Sequence, residues 1–140
     1  MTLRHVGEAR LTGRDLDDVL LMRVGGDLLS VRLDLVRLLV NHKRSSAPIC
    51  RRYPGTAGRF IDVQISHEIR RTRRGRGLEF WFGERYYVMP TEDVVDVINS
   101  QERYSTVEIY EIVTDAVDPV TLPHRANRIL AEGRDTGGMR

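Results

Sequence analysis

The chain has 140 residues, of which 41% are hydrophobic and 30% are charged, and this balance is typical of a globular protein with a hydrophobic core. No apolar run approaches the roughly 18 residues that a membrane span needs, and the N-terminus lacks the apolar segment of a signal peptide, so we expect a cytoplasmic protein with no membrane partner. The single cysteine, Cys50, excludes an internal disulfide.

The formal net charge is only +2, and all but one of the 22 basic residues are arginine, Lys43 being the exception. Residues 1–57 hold 10 basic and 6 acidic side chains, whereas residues 58–115 hold 8 basic and 11 acidic ones. We therefore expect weak attraction between nucleic acid and the protein as a whole, and any anion site has to be a local patch.

The first half of the chain predicts a strand, a hairpin and a helix in succession. Residues 6–11 form a weak strand pattern, and Gly25 with Gly26 is a candidate two-residue turn between two apolar runs. The pairs that this turn predicts are Leu20 with Val31 and Met22 with Leu29. In the following helix, apolar residues recur at i, i+3 and i+4 and predict one buried stripe, formed by Val36, Leu39 and Val40. Asn41 is expected to end the helix, because asparagine can adopt the left-handed conformation, and residues 47–50 are expected to be extended.

Residues 51–58 contain one proline and two glycines and are expected to form a linker, since these residues interrupt any regular pattern. The next segment, residues 60–69, alternates apolar and polar side chains and predicts a strand. Its apolar face carries Ile61, Val63, Ile65 and Ile69, and its polar face carries Asp62, Gln64, Ser66 and Glu68. His67 continues the apolar face, which favours a partly buried, hydrogen-bonded histidine over a metal ligand.

Residues 78–99 predict a second hairpin and helix, and they contain five of the nine aromatic residues in the chain. Gly83 and Glu84 form a candidate two-residue turn of type II′, for which glycine supplies the positive φ. The predicted pairs are Phe82 with Arg85, Trp81 with Tyr86, Phe80 with Tyr87 and Leu78 with Met89. Because side chains alternate along a strand, Leu78, Phe80, Tyr87 and Met89 form the expected core face, and Glu79, Trp81, Tyr86 and Val88 form the other face.

The second helix is expected to begin after Pro90, with Thr91 as its N-cap and with acidic residues in its first turn, where the helix dipole favours them. Its buried stripe is formed by Val94, Val97 and Ile98, and Asn99 ends it. Residues 105–109 are then expected to be extended. Residues 123–132 predict a short helix that ends at Gly133.

The two hairpins and helices match at an offset of 58 residues, which aligns Gly25 with Gly83 and Asn41 with Asn99. We therefore predict an α+β fold built from a duplicated strand, strand, strand, helix, strand unit, with a mostly antiparallel sheet that can close into a barrel. The predicted division is residues 1–57 for the first half, 58–115 for the second and 116–140 for a tail with the short helix, all within one compact body.

Arginine is concentrated between the strand at residues 60–69 and the second hairpin, where five of the eight residues 70–77 are arginine and none is acidic. These are Arg70, Arg71, Arg73, Arg74 and Arg76. A basic hairpin tip of this kind can bind the phosphates of RNA or DNA, and Trp81 with Tyr86 can stack on bases. The leading hypothesis is therefore a non-catalytic module that binds a polyanion. The competing interpretation is a solvated loop tip with Glu68 and Glu79 as counter-charges.

Trp81 and Tyr86 also support a second functional hypothesis, in which another subunit covers them and the protein is a homo-oligomeric scaffold. At the matching positions of the first half, Arg23 and Leu28 make a poorer stacking surface. An enzyme ranks third, because no group of residues indicates a nucleophile or an acid and base pair. No cofactor and no metal is expected, since the four histidines have no second ligand at metal-binding spacing.

Overall fold

The computed structural model describes residues 2–12, 18–100, 105–113 and 129. The described residues form eight β-strands, two α-helices and one short 3-10 turn at Thr56–Gly58. The strands are β1 (Thr2–Thr12), β2 (Val19–Val24), β3 (Asp27–Arg32), β4 (Ser46–Pro54), β5 (Phe60–Arg71), β6 (Gly77–Phe82), β7 (Arg85–Pro90) and β8 (Thr106–Val113), and the helices are α1 (Leu33–Val40) and α2 (Thr91–Asn99).

The eight strands form a closed antiparallel barrel in which each strand pairs with the next along the chain and β8 pairs with β1. Closure gives each described strand a neighbour on both sides, which limits unpaired backbone groups at sheet edges. The predicted α+β class with a mostly antiparallel, barrel-like sheet is therefore confirmed. Among the described residues, no helix has the length and apolar character needed to cross a membrane.

The barrel interior is filled by the predicted core faces of the two hairpins. Leu78, Phe80 and Met89 are at most 1% exposed and Tyr87 is 7% exposed, with the Phe80 and Tyr87 rings stacked at 5.2 Å. The matching residues of the first hairpin, Leu20, Met22, Leu29 and Val31, are equally buried. The helix stripes are buried as predicted at Val36, Leu39, Val94 and Val97, with Val40 and Ile98 partly buried beside them.

Both hairpins have the predicted two-residue turns and the predicted strand register. The expected type of the second turn was wrong. Gly83 has φ of 59° and Glu84 has φ of 63°, and two successive positive φ values define a type I′ turn rather than type II′. Glu84 is therefore a non-glycine residue in the left-handed region.

The predicted cap of the second helix was also wrong. Thr91 is the first residue of α2 rather than its N-cap, and its buried hydroxyl has no hydrogen-bond partner. Instead, the Thr91 N–H donates to the Arg76 carbonyl at 3.0 Å, and the Leu33 N–H of α1 donates to the Asp18 carbonyl at 3.0 Å. Helix α2 is thus anchored to Arg76, which precedes β6, and helix α1 is anchored to Asp18, which precedes β2.

The predicted linker at residues 51–58 was wrong as well, because residues 51–54 are the end of β4. They pair with the start of β5, with Arg51 opposite Val63 and Tyr53 opposite Ile61. Only the short turn between Gly55 and Arg59 separates the two strands. Residues 51–63 therefore form a two-stranded projection, which we call the β4–β5 ribbon.

The predicted apolar face of β5 is buried only near its end, where Ile69 is inaccessible. Ile61 is 55% exposed and Val63 is 47% exposed, so this end of the apolar face lies outside the core. They are exposed because of their position in the ribbon. The last pair between β3 and β4 joins Leu29 to Arg51, and the ribbon continues beyond this pair.

The left-handed residue after α1 is His42, with φ of 59°, and not Asn41, which has φ of −93°. Of the predicted C-terminal helix at residues 123–132, only Ile129 is described. It is helical and packs against Leu3, Val88 and Tyr110 on the outside of the barrel.

The elements of the two halves begin at matching positions. β1, β2, β3 and α1 start at Thr2, Val19, Asp27 and Leu33, and β5, β6, β7 and α2 each start 58 residues later. The pairing of the first two strands differs, however. β1 and β2 are joined by six residue pairs, whereas β5 and β6 are joined only by Arg70 with Glu79 and Arg71 with Leu78.

Gly7 explains why β1 can approach β2 so closely. It pairs with Val24, and a β-carbon at this position would collide with the Arg23 carbonyl oxygen. The residue 58 positions later is Ile65, whose branched side chain cannot enter the same space. The absence of a β-carbon at Gly7 thus permits the six pairs between β1 and β2. In the second half Ile65 stands at the matching position, and β5 and β6 form only two pairs.

We expect Gly7→Ala to destabilise the protein by about 2 kcal/mol, because the added methyl group forces β1 away from β2. The matched control is Gly26→Ala, since Gly26 has open space around its Cβ position and no positive φ. Urea unfolding followed by circular dichroism measures both variants. Equal stability of the two variants would contradict the close approach at Gly7.

Candidate functional site

The predicted arginine-rich hairpin lies at the same end of the barrel as both helices. Strand direction alternates around the barrel, so the β5 to β6 loop and the two helices, which follow β3 and β7, share one end. The two tight turns at Gly25 and Gly83 and the tip of the β4–β5 ribbon lie at the opposite end.

The hairpin tip is a compact turn organised by Thr72. The Gly75 N–H donates to the Thr72 carbonyl at 2.8 Å, and the Thr72 N–H donates to the Gly77 carbonyl at 2.9 Å. The Thr72 hydroxyl accepts the Gly77 N–H at 3.1 Å, and Gly75 has the positive φ of 74° that the turn requires. The predicted hairpin tip around Gly75 and Gly77 is confirmed.

The five arginines of this segment have different environments. Arg70, Arg73, Arg74 and Arg76 are exposed, whereas Arg71 is partly buried. The Arg71 guanidinium donates to the Arg44 carbonyl at 3.2 Å and contacts the His42 ring nitrogen Nδ1. Arg71 therefore joins two loops, and the side chains of the other four arginines are exposed.

The neighbouring loop, between α1 and β4, adds two cations that were not among the site residues predicted from the sequence. Left-handed His42 turns the chain after α1, and its ring lies 3.2 Å from the position of a β-carbon on Gly75. Lys43 and Arg44 follow His42 and are exposed beside the arginine hairpin. We call the exposed cationic side chains of these two loops the basic end; they are Lys43, Arg44, Arg70, Arg73, Arg74 and Arg76.

Trp81 and Tyr86 form an exposed aromatic pair on the outer wall of the barrel. Trp81 is 53% exposed and Tyr86 is partly exposed, and their ring centroids are 4.8 Å apart at an angle of 35°. Trp81 is four residues from Gly77, so a strand rise of about 3.3 Å per residue places it about 13 Å from the hairpin tip. The structure therefore brings the two rings together but separates them from Arg73 and Arg74.

A groove of about 430 Å³ lies between β5 and β6, and it connects the two parts of the candidate site. Its lining residues are Ser66, His67, Glu68, Arg70, Glu79, Phe80 and Trp81. The two glutamates predicted as counter-charges thus lie in the groove and not at the hairpin tip. The groove therefore has mixed charge.

His67 differs from the expected hydrogen-bonded histidine. It is partly buried, as predicted, and its ring meets the Phe82 ring edge to face at 6.0 Å. Its buried Nδ1 atom, however, has no hydrogen-bond partner.

A second, wider groove of about 520 Å³ lies at the opposite end of the barrel, beside Gly25 and Gly83. There the buried Glu111 carboxylate accepts a hydrogen bond from Arg4 at 3.0 Å and lies 3.5 Å from Arg85. Burial raises the pKa of the Tyr87 phenol, which lines this groove. The sequence could not predict this cluster, because β1, β7 and β8 each contribute one charged residue.

The described residues give little support for catalysis or metal binding. They contain no group of three or more histidine, cysteine or acidic side chains that could hold a metal ion. Burial, and secondly the charge of Asp62, raise the pKa of the Cys50 thiol, which disfavours the reactive thiolate. Comparison of the chain with protein-family models, with curated proteins and with solved structures gave no match.

We expect Thr72→Val to destabilise the protein by about 1 kcal/mol, because it removes the acceptor of the Gly77 N–H inside the arginine hairpin. Thr91→Val is the matched control, since the Thr91 hydroxyl is buried without a partner and its loss should not destabilise. Thermal unfolding of both variants makes the comparison. A larger loss for Thr91→Val would indicate that its hydroxyl has a capping role after all.

Proposed function

We propose that the protein is a non-catalytic module that binds a polyanion, such as the backbone of RNA or DNA, through its basic end. The observation that carries this proposal is the contact between two loops distant in sequence, residues 42–44 and 70–77. Six exposed cations meet there, and neither loop contains an acidic residue. The two packed loops bring more cations together than the arginine hairpin holds alone.

The chemistry of the basic end suits phosphate groups. Guanidinium groups bind phosphate oxygens through two parallel hydrogen bonds, and each cation that neutralises a phosphate releases a counterion. Arg71 has a different role, because its contacts with His42 and the Arg44 carbonyl hold the two loops together. The patch is therefore supported by the fold rather than displayed on an unsupported loop.

We further propose that the chain arose by duplication of a unit of five elements and that only the second copy acquired this function. The offset of 58 residues recurs in four element starts and in the two hydrogen bonds that anchor the helices. Residues 12–19, which correspond to residues 70–77, carry three aspartates and one arginine. The two copies thus differ in charge at the position where the second copy would bind anions.

Trp81 extends the proposed site along the outer wall. Bases stack on exposed aromatic rings, and each stacked base adds about 1 to 3 kcal/mol. A single strand that contacts the basic end could reach Trp81 by following the groove past Arg70. In this proposal the arginines bind phosphates and the Trp81 ring, supported by Tyr86, accepts a base.

The alternative function is a homo-oligomeric scaffold that uses the aromatic pair for self-association. The 53% exposure of Trp81 supports it, because large exposed aromatic side chains are favoured at the centre of interfaces. The two functions make different predictions: a scaffold dissociates when Trp81 is truncated, regardless of salt.

Binding to a mixed single-stranded RNA should weaken steeply with salt, with a logarithmic slope of about 4 if six phosphates are contacted. Arg73→Ala with Arg74→Ala should weaken binding and lower that slope by about 1 to 2. The control is Arg23→Ala with Arg59→Ala, which removes the same charge from exposed positions away from the basic end. No retention at low salt, or an equal effect of both double variants, would exclude the basic end as the site.

Trp81 is the only tryptophan, so its fluorescence reports directly on the aromatic pair. Titration with polyuridylate should quench this fluorescence, because a stacked base contacts the exposed indole, and added salt should reverse the effect. Inorganic polyphosphate is the control, since it carries phosphates without bases. Binding without quenching would support the basic end as the binding site and would show that Trp81 is not part of it.

A further inference from the structure

The side of β5 that faces β6 is an open strand edge. Within the described strands, β6 pairs with β5 only at Arg70 and Arg71, so residues 60–68 have no partner on that side. Their opposite side is occupied, since β4 pairs with β5 along most of its length. A run of backbone N–H and C=O groups is therefore available to a further strand.

Among the described residues, the edge between residues 60 and 66 has few of the features that normally protect such edges. Charged side chains, prolines and covering loops prevent strand edges from pairing with other chains. Between residues 60 and 66 the only charged side chain is Asp62, and Arg52 neutralises it through two hydrogen bonds of 2.8 and 2.9 Å. The hydrogen bond from Arg52 lowers the pKa of the Asp62 carboxyl, which stays ionised and paired.

Apolar side chains accompany this open edge. Phe60 is 58% exposed, Ile61 is 55% exposed and Val63 is 47% exposed, and Tyr53 lies opposite Ile61 on the ribbon. Isolated apolar residues on a surface are ordinary, but a cluster on an unpaired strand indicates an interface. Because the ribbon extends beyond the last β3 to β4 pair, another strand can reach it.

We propose that β5 pairs antiparallel with β5 of a second copy of this chain, about a two-fold axis at Val63. Such a two-fold interface requires one segment to complement itself. With Val63 at the axis, Val63 lies opposite its own copy and Ile61 lies opposite Ile65 of the second copy. Within residues 60–66, all side-chain pairs on this face are then apolar.

The other face of β5 is compatible with the same register. Asp62 lies opposite Gln64 of the second copy, and Phe60 lies opposite Ser66, so no like charges meet. Moving the axis to Asp62 would place two carboxylates directly opposite each other, which is destabilising. The charge pattern thus favours Val63 over Asp62 as the centre.

This dimer does not depend on the proposed polyanion binding. The ribbon tip and the basic end lie at opposite ends of the barrel, so phosphate binding at the basic end and the dimer can fail independently. Base stacking on Trp81 is not independent in this way, because the groove that leads to it is lined by Ser66, which lies opposite Phe60 of the second copy in the dimer. An unrelated extended peptide is the competing occupant of the same edge, and the self-complementary pattern of residues 60–66 favours the second copy over it.

Multi-angle light scattering over a range of protein concentrations should show a dimer for the wild-type chain. Val63→Lys places two like charges at the axis and should weaken the dimer by at least about tenfold. Gln64→Lys is the matched control on the same edge, because its lysine lies opposite Asp62 of the second copy and should preserve or strengthen the dimer. Both positions are exposed, and circular dichroism checks that both variants fold.

A crosslinking measurement tests the register directly. In a Cys50→Ser background, Val63→Cys should form an intermolecular disulfide under mild oxidation, because the two side chains are directly opposite. Gln64→Cys should crosslink far less. A wild-type monomer at all concentrations, or a dimer that survives Val63→Lys and dissociates on Trp81→Ala, would overturn the proposal.

Discussion

The fold depends on closure of the barrel, because neither half can bury its own apolar face. Each half supplies a hairpin whose inward side chains are fully buried only when the other hairpin lies across the barrel from them. The Phe80 and Tyr87 layer of the second half and the Met22 and Leu29 layer of the first share one core cluster. Each helix is anchored by its first N–H to the residue before β2 or β6, so helix position follows from strand position.

Within this common scaffold, β1 and β5 are matching strands with different surroundings. Gly7 allows β1 to pair with β2 over six residue pairs, and β8 covers its other side. Ile65 stands at the matching position of β5, where the β6 pairing stops after two residue pairs. Thus the half without this β-carbon, at Gly7, has β1 fully paired with β2. The half that has it, at Ile65, has an open edge along β5.

The features that the sequence predicted correctly are those that the alternation of apolar and polar side chains and the turn residues determine. Both hairpin registers and both helix stripes were predicted, because two-residue turns fix pairing and apolar periodicity fixes the buried face. The ribbon does not follow from the sequence pattern, because Pro54 and the glycines predict a break of the whole segment, whereas only Gly55 to Arg59 turn. The contact of His42 and Arg44 with the arginine hairpin was not predicted, because it depends on where α1 ends and on left-handed His42, which no local pattern reveals.

The two proposed surfaces have a geometric relation that follows from β5 alone. Arg70 is seven residues from Val63, so a rise of about 3.3 Å per residue separates it from the proposed axis by about 23 Å. Antiparallel pairing would direct the two basic ends away from each other and place their Arg70 residues about 45 Å apart. Two such sites on one polyanion would bind with avidity only if the polyanion spans that distance. Short oligonucleotides would therefore bind at one site of the dimer, and long ones would bind at both.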